Sequence, residues 1–96
     1  MKRHDLKCVS GPFQAKWDKK KDWEFRKNDR DFQVGDELNE REYEPLTDTY
    51  SGREILEAVI WILHGGAFGI PSGYVIMSTK EIYKVKINEE QNEQSV

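Results

Sequence analysis

The chain has 96 residues, 36% hydrophobic and 34% charged, which suits one modest core and excludes a multidomain enzyme. Its longest apolar run, Ala58–Leu63, is far short of the roughly 18 residues of a membrane span, and the lone Cys8 excludes an internal disulfide. The net charge of -3 is uneven: residues 1–30 carry ten Lys and Arg against five acids, and residues 31–96 carry five against thirteen. A basic segment attracts anions whatever the total charge. With no signal peptide evident, we expect a cytoplasmic protein.

The N-terminal elements are predicted by alternation and helical spacing. His4–Val9 alternates polar and apolar residues, which predicts a strand. Ser10 is a candidate N-cap, and the proline two residues later suits the first turn of a helix. Phe13 and Trp17 would share one face of this helix, which should end near Lys19–Lys21.

The middle of the chain predicts strands separated by polar turns. Trp23–Arg26 alternates and predicts a strand, and the charged stretch Lys27–Asp31 predicts a turn. Glu37–Glu44 alternates weakly and predicts another strand. Pro45–Gly52 is rich in Thr, Asp, Ser and Gly, which is typical of a loop.

The segment Arg53–His64 fits two structures. Its apolar residues fall at helical spacing, but Ala58–Leu63 is apolar on every side and rich in the β-branched and aromatic types that favour a buried strand. Pattern alone leaves the two open.

The C-terminal third predicts a glycine-rich loop over Gly65–Gly73 and two strands, Tyr74–Met77 and Glu81–Ile87. Residues 1–87 would form one domain, and residues 88–96 a frayed polar tail. We therefore expect an α+β fold, with one N-terminal helix beside a small barrel of five or six strands.

The richest chemistry lies around the predicted strand Trp23–Arg26. Glu24 and Arg26 would point to one face, and Lys21 could converge on it from the preceding turn. Two cations and one acceptor suit a phosphate together with a base or sugar edge. The alternative, favoured on physical grounds alone, is a solvated turn followed by a weak surface ion pair.

Other chemistries have little support. Cys8 lies in an apolar strand, where an inert core thiol is expected, and His4 lacks the further paired ligands of a zinc site. The glycines of Gly65–Gly73 match no phosphate-binding motif, and no cofactor is implied. Of four large aromatic residues we expect at most two to be exposed: Trp17, Trp23, Phe25 and Trp61.

The sequence Lys21-x-x-Glu24-x-Arg26 resembles the Gly-x-Lys-x-x-Glu-x-Arg signature of the ASCH superfamily. The run Glu24–Asp36 is similar to a branch of that superfamily found in bacterial and phage genomes and catalogued as a domain of unknown function. Further similarities extend the resemblance over about residues 3–80: His4–Lys7, Gly52–Ile55 and Phe68–Val75.

The resemblance implies a PUA-like β-barrel in which Arg53–His64 is a long strand. It also implies that Lys21, Glu24 and Arg26 line a cleft beside the helix, in a superfamily thought to bind RNA or modified nucleosides. One ASCH branch hydrolyses N4-acetylcytidine with a Lys, a Thr nucleophile and a distal Glu. Here Lys21 matches the lysine, but Glu24 replaces the threonine and Lys19 replaces the signature glycine.

These observations lead to three hypotheses, in order of preference. The first is a module that binds RNA or a nucleotide-like ligand, with phosphate on Lys21 and Arg26 and a base or ribose hydroxyl on Glu24. In it a positive rim surrounds the cleft, formed by Lys20, Lys27 and Arg30.

The second hypothesis is a small amidohydrolase for an acylated nucleoside, with Lys21 and Glu24 as the catalytic pair. The third is a phage or accessory protein that binds a host protein through an acidic surface formed by Glu37, Glu40, Glu42 and Glu44.

Overall fold

A computed structural model describes residues 1–87, and the predicted tail at residues 88–96 lies outside them. The described chain holds one short helix and five strands, so it is mostly β, which is consistent with the predicted small barrel beside one helix. In chain order they are β1 (Arg3–Val9), α1 (Ser10–Trp17), β2 (Trp23–Lys27), β3 (Glu37–Glu44), β4 (Thr49–His64) and β5 (Tyr74–Lys86).

The five strands form a single curled sheet, a half-barrel, in the order β1-β3-β4-β5-β2. Strand β1 runs parallel to β3, and every other neighbouring pair is antiparallel. Because β1 and β2 are the two ends of this order, the curl leaves a seam between them.

The predicted alternation in β1 corresponds to real burial. His4, Leu6 and Cys8 are buried on the inner face of the sheet, and the polar residues between them are exposed. The core lies on this inner face in two clusters. One contains Leu6, Phe32, Leu38, Val59, Val75 and Met77, and the other contains Cys8, Phe13 and Ile55.

The helix differs from its prediction at both ends. Val9 occupies the N-cap position and Ser10 is already helical, so the prediction of Ser10 as the cap is wrong. The helix ends at Trp17, before the predicted Lys19–Lys21, and Lys19 adopts a positive φ of 59°. The early end turns the chain back so that β2 can join the sheet.

The ambiguous segment is a strand. In β4, Ile55, Glu57 and Val59 are buried at alternate positions, as expected of one face of a strand, and Leu56 is buried as well, next to a shift in the pairing register with β5. The strand starts at Thr49, so the preceding loop is shorter than predicted. The two strands predicted after the glycine-rich loop are one continuous strand, β5.

A glycine is required where β4 passes the end of β5. Gly52 has φ +93°, and a Cβ there would lie 2.3 Å from the carbonyl oxygen of Ile87. The close approach is also held by a backbone hydrogen bond from the Ile87 N–H to the Gly52 carbonyl.

Candidate functional site

The inner face of β2 carries a buried ion network centred on Glu24. One carboxylate oxygen, Oε2, accepts hydrogen bonds from Lys21 Nζ at 2.8 Å and lies 3.1 Å from Lys16 Nζ. The other, Oε1, accepts a hydrogen bond from Arg26 Nε at 2.9 Å. Since Glu24 is only 3% exposed, these three cations replace the water that its carboxylate would otherwise bind.

Two further carboxylates join the network from β3 and β4. Glu57 accepts two hydrogen bonds from Lys16 Nζ, at 2.9 and 3.1 Å. Glu40 is 0% exposed and accepts one from Arg26 Nη2 at 3.0 Å, while its second oxygen has no partner among the described residues. The network therefore connects α1, β2, β3 and β4.

The three carboxyl groups differ in ionisation. Burial opposes the charge of Glu24, but Lys16, Lys21 and Arg26 outweigh it and lower its pKa to about 2. Burial and the neighbouring charge of Glu24 raise the pKa of Glu40 to about 8, so Glu40 is mostly protonated at pH 7. Burial also raises the pKa of Glu57.

The network thus carries a positive balance at neutral pH. Lys16, Lys21 and Arg26 supply three positive charges; burial opposes the charge of Lys16, but Glu24 and Glu57 outweigh it and raise its pKa. With Glu40 protonated, at most two carboxylates oppose them. Oxygens of all three glutamates lie within 4.8 Å of one another, a spacing that could hold a metal ion, but the cations among them would repel one.

A cleft of about 350 Å³ opens at the seam between β1 and β2. Both sheet edges and the start of α1 contribute to its walls. The lining residues are Lys7, Cys8, Val9, Pro12, Lys21, Trp23, Glu24, Phe25 and Arg26. We call it the seam cleft; its volume lies at the small end of the range for small-molecule sites.

A second cavity, of about 240 Å³, lies between α1 and the β4–β5 side of the sheet. Lys21 lines both cavities, and Lys16 and Glu57 line this one. The Thr79 hydroxyl at its wall is buried and has no hydrogen-bond partner among residues 1–87. We call it the helix-side cavity.

The structure brings Lys21, Glu24 and Arg26 together, as their spacing predicts. The weaker interpretation, an exposed surface pair, is wrong because Glu24 is buried. The three rim residues are dispersed. Lys20 is exposed beyond the cluster, whereas Lys27 and Arg30 line a hollow of about 170 Å³ that shares only Arg26 with the seam cleft.

Three members of the network were missed in the sequence. Lys16 follows Phe13 by three residues and so shares its helix face, and Glu40 follows Leu38 by two residues on the inner face of β3. Glu57 lies between Ile55 and Val59 and points inward only if the segment is a strand. These spacings did not lead to a buried network because the faces of β3 and β4 were undecided and buried charge is uncommon.

The predicted acidic surface does not exist as a surface. Glu40 and Glu42 are buried, and Glu42 accepts hydrogen bonds from Arg53 at 2.9 Å. Glu37 accepts hydrogen bonds from Arg3. Alternation along β3 places Glu40 and Glu42 on the inner face, so the four glutamates cannot act together on a partner.

The expectation that most large aromatics are buried is also wrong. Trp23, Phe25 and Trp61 are 47%, 48% and 57% exposed, and of the four only Trp17 packs against the core. Cys8 is buried as predicted, and burial, together with the charges of nearby glutamates, raises its pKa to about 12. Its thiol is therefore a poor nucleophile.

Residues 3–79 match the family described as a domain of unknown function (DUF3850), and the chain belongs to that family. No curated protein matches the chain in sequence. In the part of the chain that the structure describes, no helix is both long and apolar enough to cross a membrane.

Proposed function

We propose that this protein is a PUA-like module of the ASCH superfamily that binds RNA or a nucleotide-like ligand in the seam cleft. The observation that carries the proposal is the positive balance of the cleft wall, where Lys7, Lys21 and Arg26 outnumber the one lining carboxylate, Glu24. Lys21 and Arg26 present partly exposed cationic side chains to a cleft whose remaining wall is largely apolar. Such a wall suits a ligand with a flat base and an anionic phosphate.

In this proposal Glu24 orients the cations and does not contact the ligand. Its two oxygens already accept hydrogen bonds from Lys21 and Arg26, and Lys16 lies against it. Arg26 Nη1 has no protein hydrogen-bond partner within residues 1–87. It is therefore the atom of this side chain that is free to donate hydrogen bonds to a phosphate oxygen.

The experiment is an NMR titration of the labelled protein with short single-stranded RNA, at low and then moderate salt. We expect shifts clustered on Lys21, Glu24, Arg26 and the loop Gly65–Gly73, with affinity falling steeply as salt displaces the phosphate contacts. Shifts scattered over the surface, or affinity unchanged by salt, would contradict the phosphate assignment.

A pair of lysine variants sharpens the titration. Lys21→Ala should weaken binding at every salt concentration, because it removes a cation from the cleft wall. Lys86→Ala removes the same charge from an exposed position at the far end of β5 and should bind RNA as the unaltered protein does. Equal weakening in both would indicate general attraction to a polyanion.

A second candidate, hydrolysis of an acylated nucleoside, is favoured by the helix-side cavity. There Lys21 and Lys16 accompany Glu57 and the unpartnered Thr79 hydroxyl, which could act as a nucleophile in place of the saturated Glu24. Incubation with N4-acetylcytidine should then release acetate, and Thr79→Val and Lys21→Ala should each abolish the release. Absence of acetate from the unaltered protein would end this candidate.

A further inference from the structure

The outer face of the sheet carries a group of mainly apolar side chains across three strands. Trp23 on β2 pairs with Ser78 on β5, which pairs with Trp61 on β4. One row along, Ile76 joins Phe25 to Leu63 in the same way. Because paired residues share a face, these rows define what we call the aromatic face, formed by Trp23, Phe25, Trp61, Leu63, Tyr74 and Ile76.

The aromatic face is open to solvent. Its largest side chains, Trp23, Phe25 and Trp61, are about half exposed, and Phe25 lies near-parallel to Tyr74 with ring centroids 5.4 Å apart. It spans three strands, or about 10 Å across the sheet. Contiguous exposed apolar surface on this scale marks a binding surface.

The charges around the aromatic face favour an anionic partner. Lys21 lies 4.5 Å from the centre of the Trp23 ring, and Lys27 is paired with Tyr74. Lys80 is exposed two residues beyond Ser78 on β5. The nearby acids are Asp22 and Glu37, and Glu37 is ion-paired with Arg3 in the same cross-strand row as Lys80. The three lysines complement a chain of phosphates, and flat aromatic rings complement bases.

The aromatic face is also continuous with the seam cleft. Trp23 and Phe25 belong to both, so the face begins where the cleft opens. A base in the cleft would therefore have its neighbours along a nucleic-acid strand directly over exposed rings.

We infer that the aromatic face is a stacking surface for the nucleotides adjacent to the one held in the seam cleft. The ligand is then single-stranded RNA several nucleotides long, and not a free nucleotide. This inference rests on the proposed function, because it extends the same cleft outward.

The test measures the affinity of the unaltered protein for three ligands by isothermal titration calorimetry. The ligands are uridine monophosphate, a five-nucleotide oligouridylate, and an abasic oligomer with the same number of phosphates as the oligouridylate. Stacking predicts that the oligouridylate binds at least tenfold more tightly than either of the others. This comparison needs no variant, so a folding defect cannot obscure it.

A matched pair of exposed aromatic substitutions then locates the stacking. Trp61→Ala should lower the ratio of oligouridylate to mononucleotide affinity about tenfold, since Trp61 lies on the aromatic face and outside the cleft. Tyr83→Ala removes a similarly exposed ring from the far part of β5 and should leave the ratio unchanged.

The outcomes separate the inference from the proposed function. If mononucleotide and oligouridylate bind equally, the inference is overturned and the cleft proposal stands. If the abasic oligomer binds as tightly as the oligouridylate, phosphate contacts alone explain the affinity and the inference also fails. If neither nucleotide ligand binds, the proposed function fails. If the face instead joins two copies, Trp61→Ala will change the sedimentation coefficient without changing the ratio, which would overturn the inference.

Discussion

The two faces of strand β2 reverse the usual arrangement of a sheet. On the inner face, Glu24 and Arg26 are held in a network of charges from four elements. On the outer face, Trp23 and Phe25 are about half exposed to water. Charged residues thus lie inside and aromatic residues outside, within four consecutive positions.

The two faces differ in how far their side chains depend on contacts with the rest of the protein. The inner charges are tolerated because Glu24 and Arg26 have partners within the protein, and removing one partner would leave another unpaired. The exposed rings of Trp23 and Phe25 have few contacts with the core, so a contribution to folding does not explain why they are there. A locally unfavourable arrangement of this kind is expected where a surface serves binding.

The largest expected effect is on the inner face. Glu24→Gln removes the charge that Lys16, Lys21 and Arg26 share, and it should lower the free energy of unfolding by about 3–5 kcal/mol. Urea denaturation at pH 7 would measure the loss. The matched control is Glu37→Gln, which should change the free energy of unfolding little because its pair with Arg3 is exposed to solvent.

The same variant has a defined dependence on pH. The pKa of Glu24 is lowered in the folded protein, so its stabilising effect is present above the ordinary carboxyl pKa and is lost as pH falls toward about 2. The difference between Glu24→Gln and the unaltered protein should therefore shrink over that range. A difference that stayed constant down to pH 2 would mean that the charge of Glu24 is not the cause.

An intermediate effect is expected at Glu40, where the sign of the pH dependence reverses. Its pKa is raised to about 8, so the folded state holds a proton that the unfolded state releases above the ordinary carboxyl pKa. The contribution of neutral Glu40 to the free energy of unfolding should therefore decrease as pH rises toward 8. The free energy of unfolding of Glu40→Gln, relative to that of the unaltered protein, should therefore be higher at pH 8.5 than at pH 5. We expect a difference of at least about 1 kcal/mol, the equivalent of one pKa unit.

Thermal or urea unfolding at the two pH values would provide that comparison. Its control is Glu54→Gln, a carboxylate on β4 paired with Arg41 near the surface. If the relative stability of Glu40→Gln does not change with pH, the carboxyl group of Glu40 is ionised in the folded protein.

The smallest expected effect is on the outer face. Phe25→Ala should lower the free energy of unfolding by less than about 1 kcal/mol, because the ring is half exposed and contributes little to the core. Phe13→Ala, at a fully buried ring, should cost about 3–5 kcal/mol in the same assay. Similar losses at the two positions would show that the aromatic face has a structural role.

The sequence predicted the local structure of most strands better than it predicted which strands and side chains contact one another. Alternation located β1, β2 and β3, and the spacing of Glu24 and Arg26 placed them correctly on one face. The pattern could not show whether Arg53–His64, the greater part of β4, is a strand or a helix, because the same apolar residues would be buried in either structure. The parallel pairing of β1 with β3 joins residues 34 positions apart, and no local pattern encodes it.

The charged network was only half predicted for a related reason. Leu38 and Tyr43 on β3 have opposite parity, so alternation did not indicate which face Glu40 would occupy. The exposed aromatics were missed because the tendency of large rings to be buried reflects average energetics, and a binding surface departs from that average.

The guanidinium groups at the seam also bear on how the protein behaves at high concentration. Arg26 and Arg30 donate hydrogen bonds to the backbone carbonyls of Lys7 and Asp5, at 3.1 and 2.7 Å, along the open edge of β1. A strand from another molecule would need those carbonyls to extend the sheet. Since Arg26 and Arg30 already occupy them, this edge resists the pairing that begins fibril formation, and one of the two, Arg26, also borders the seam cleft.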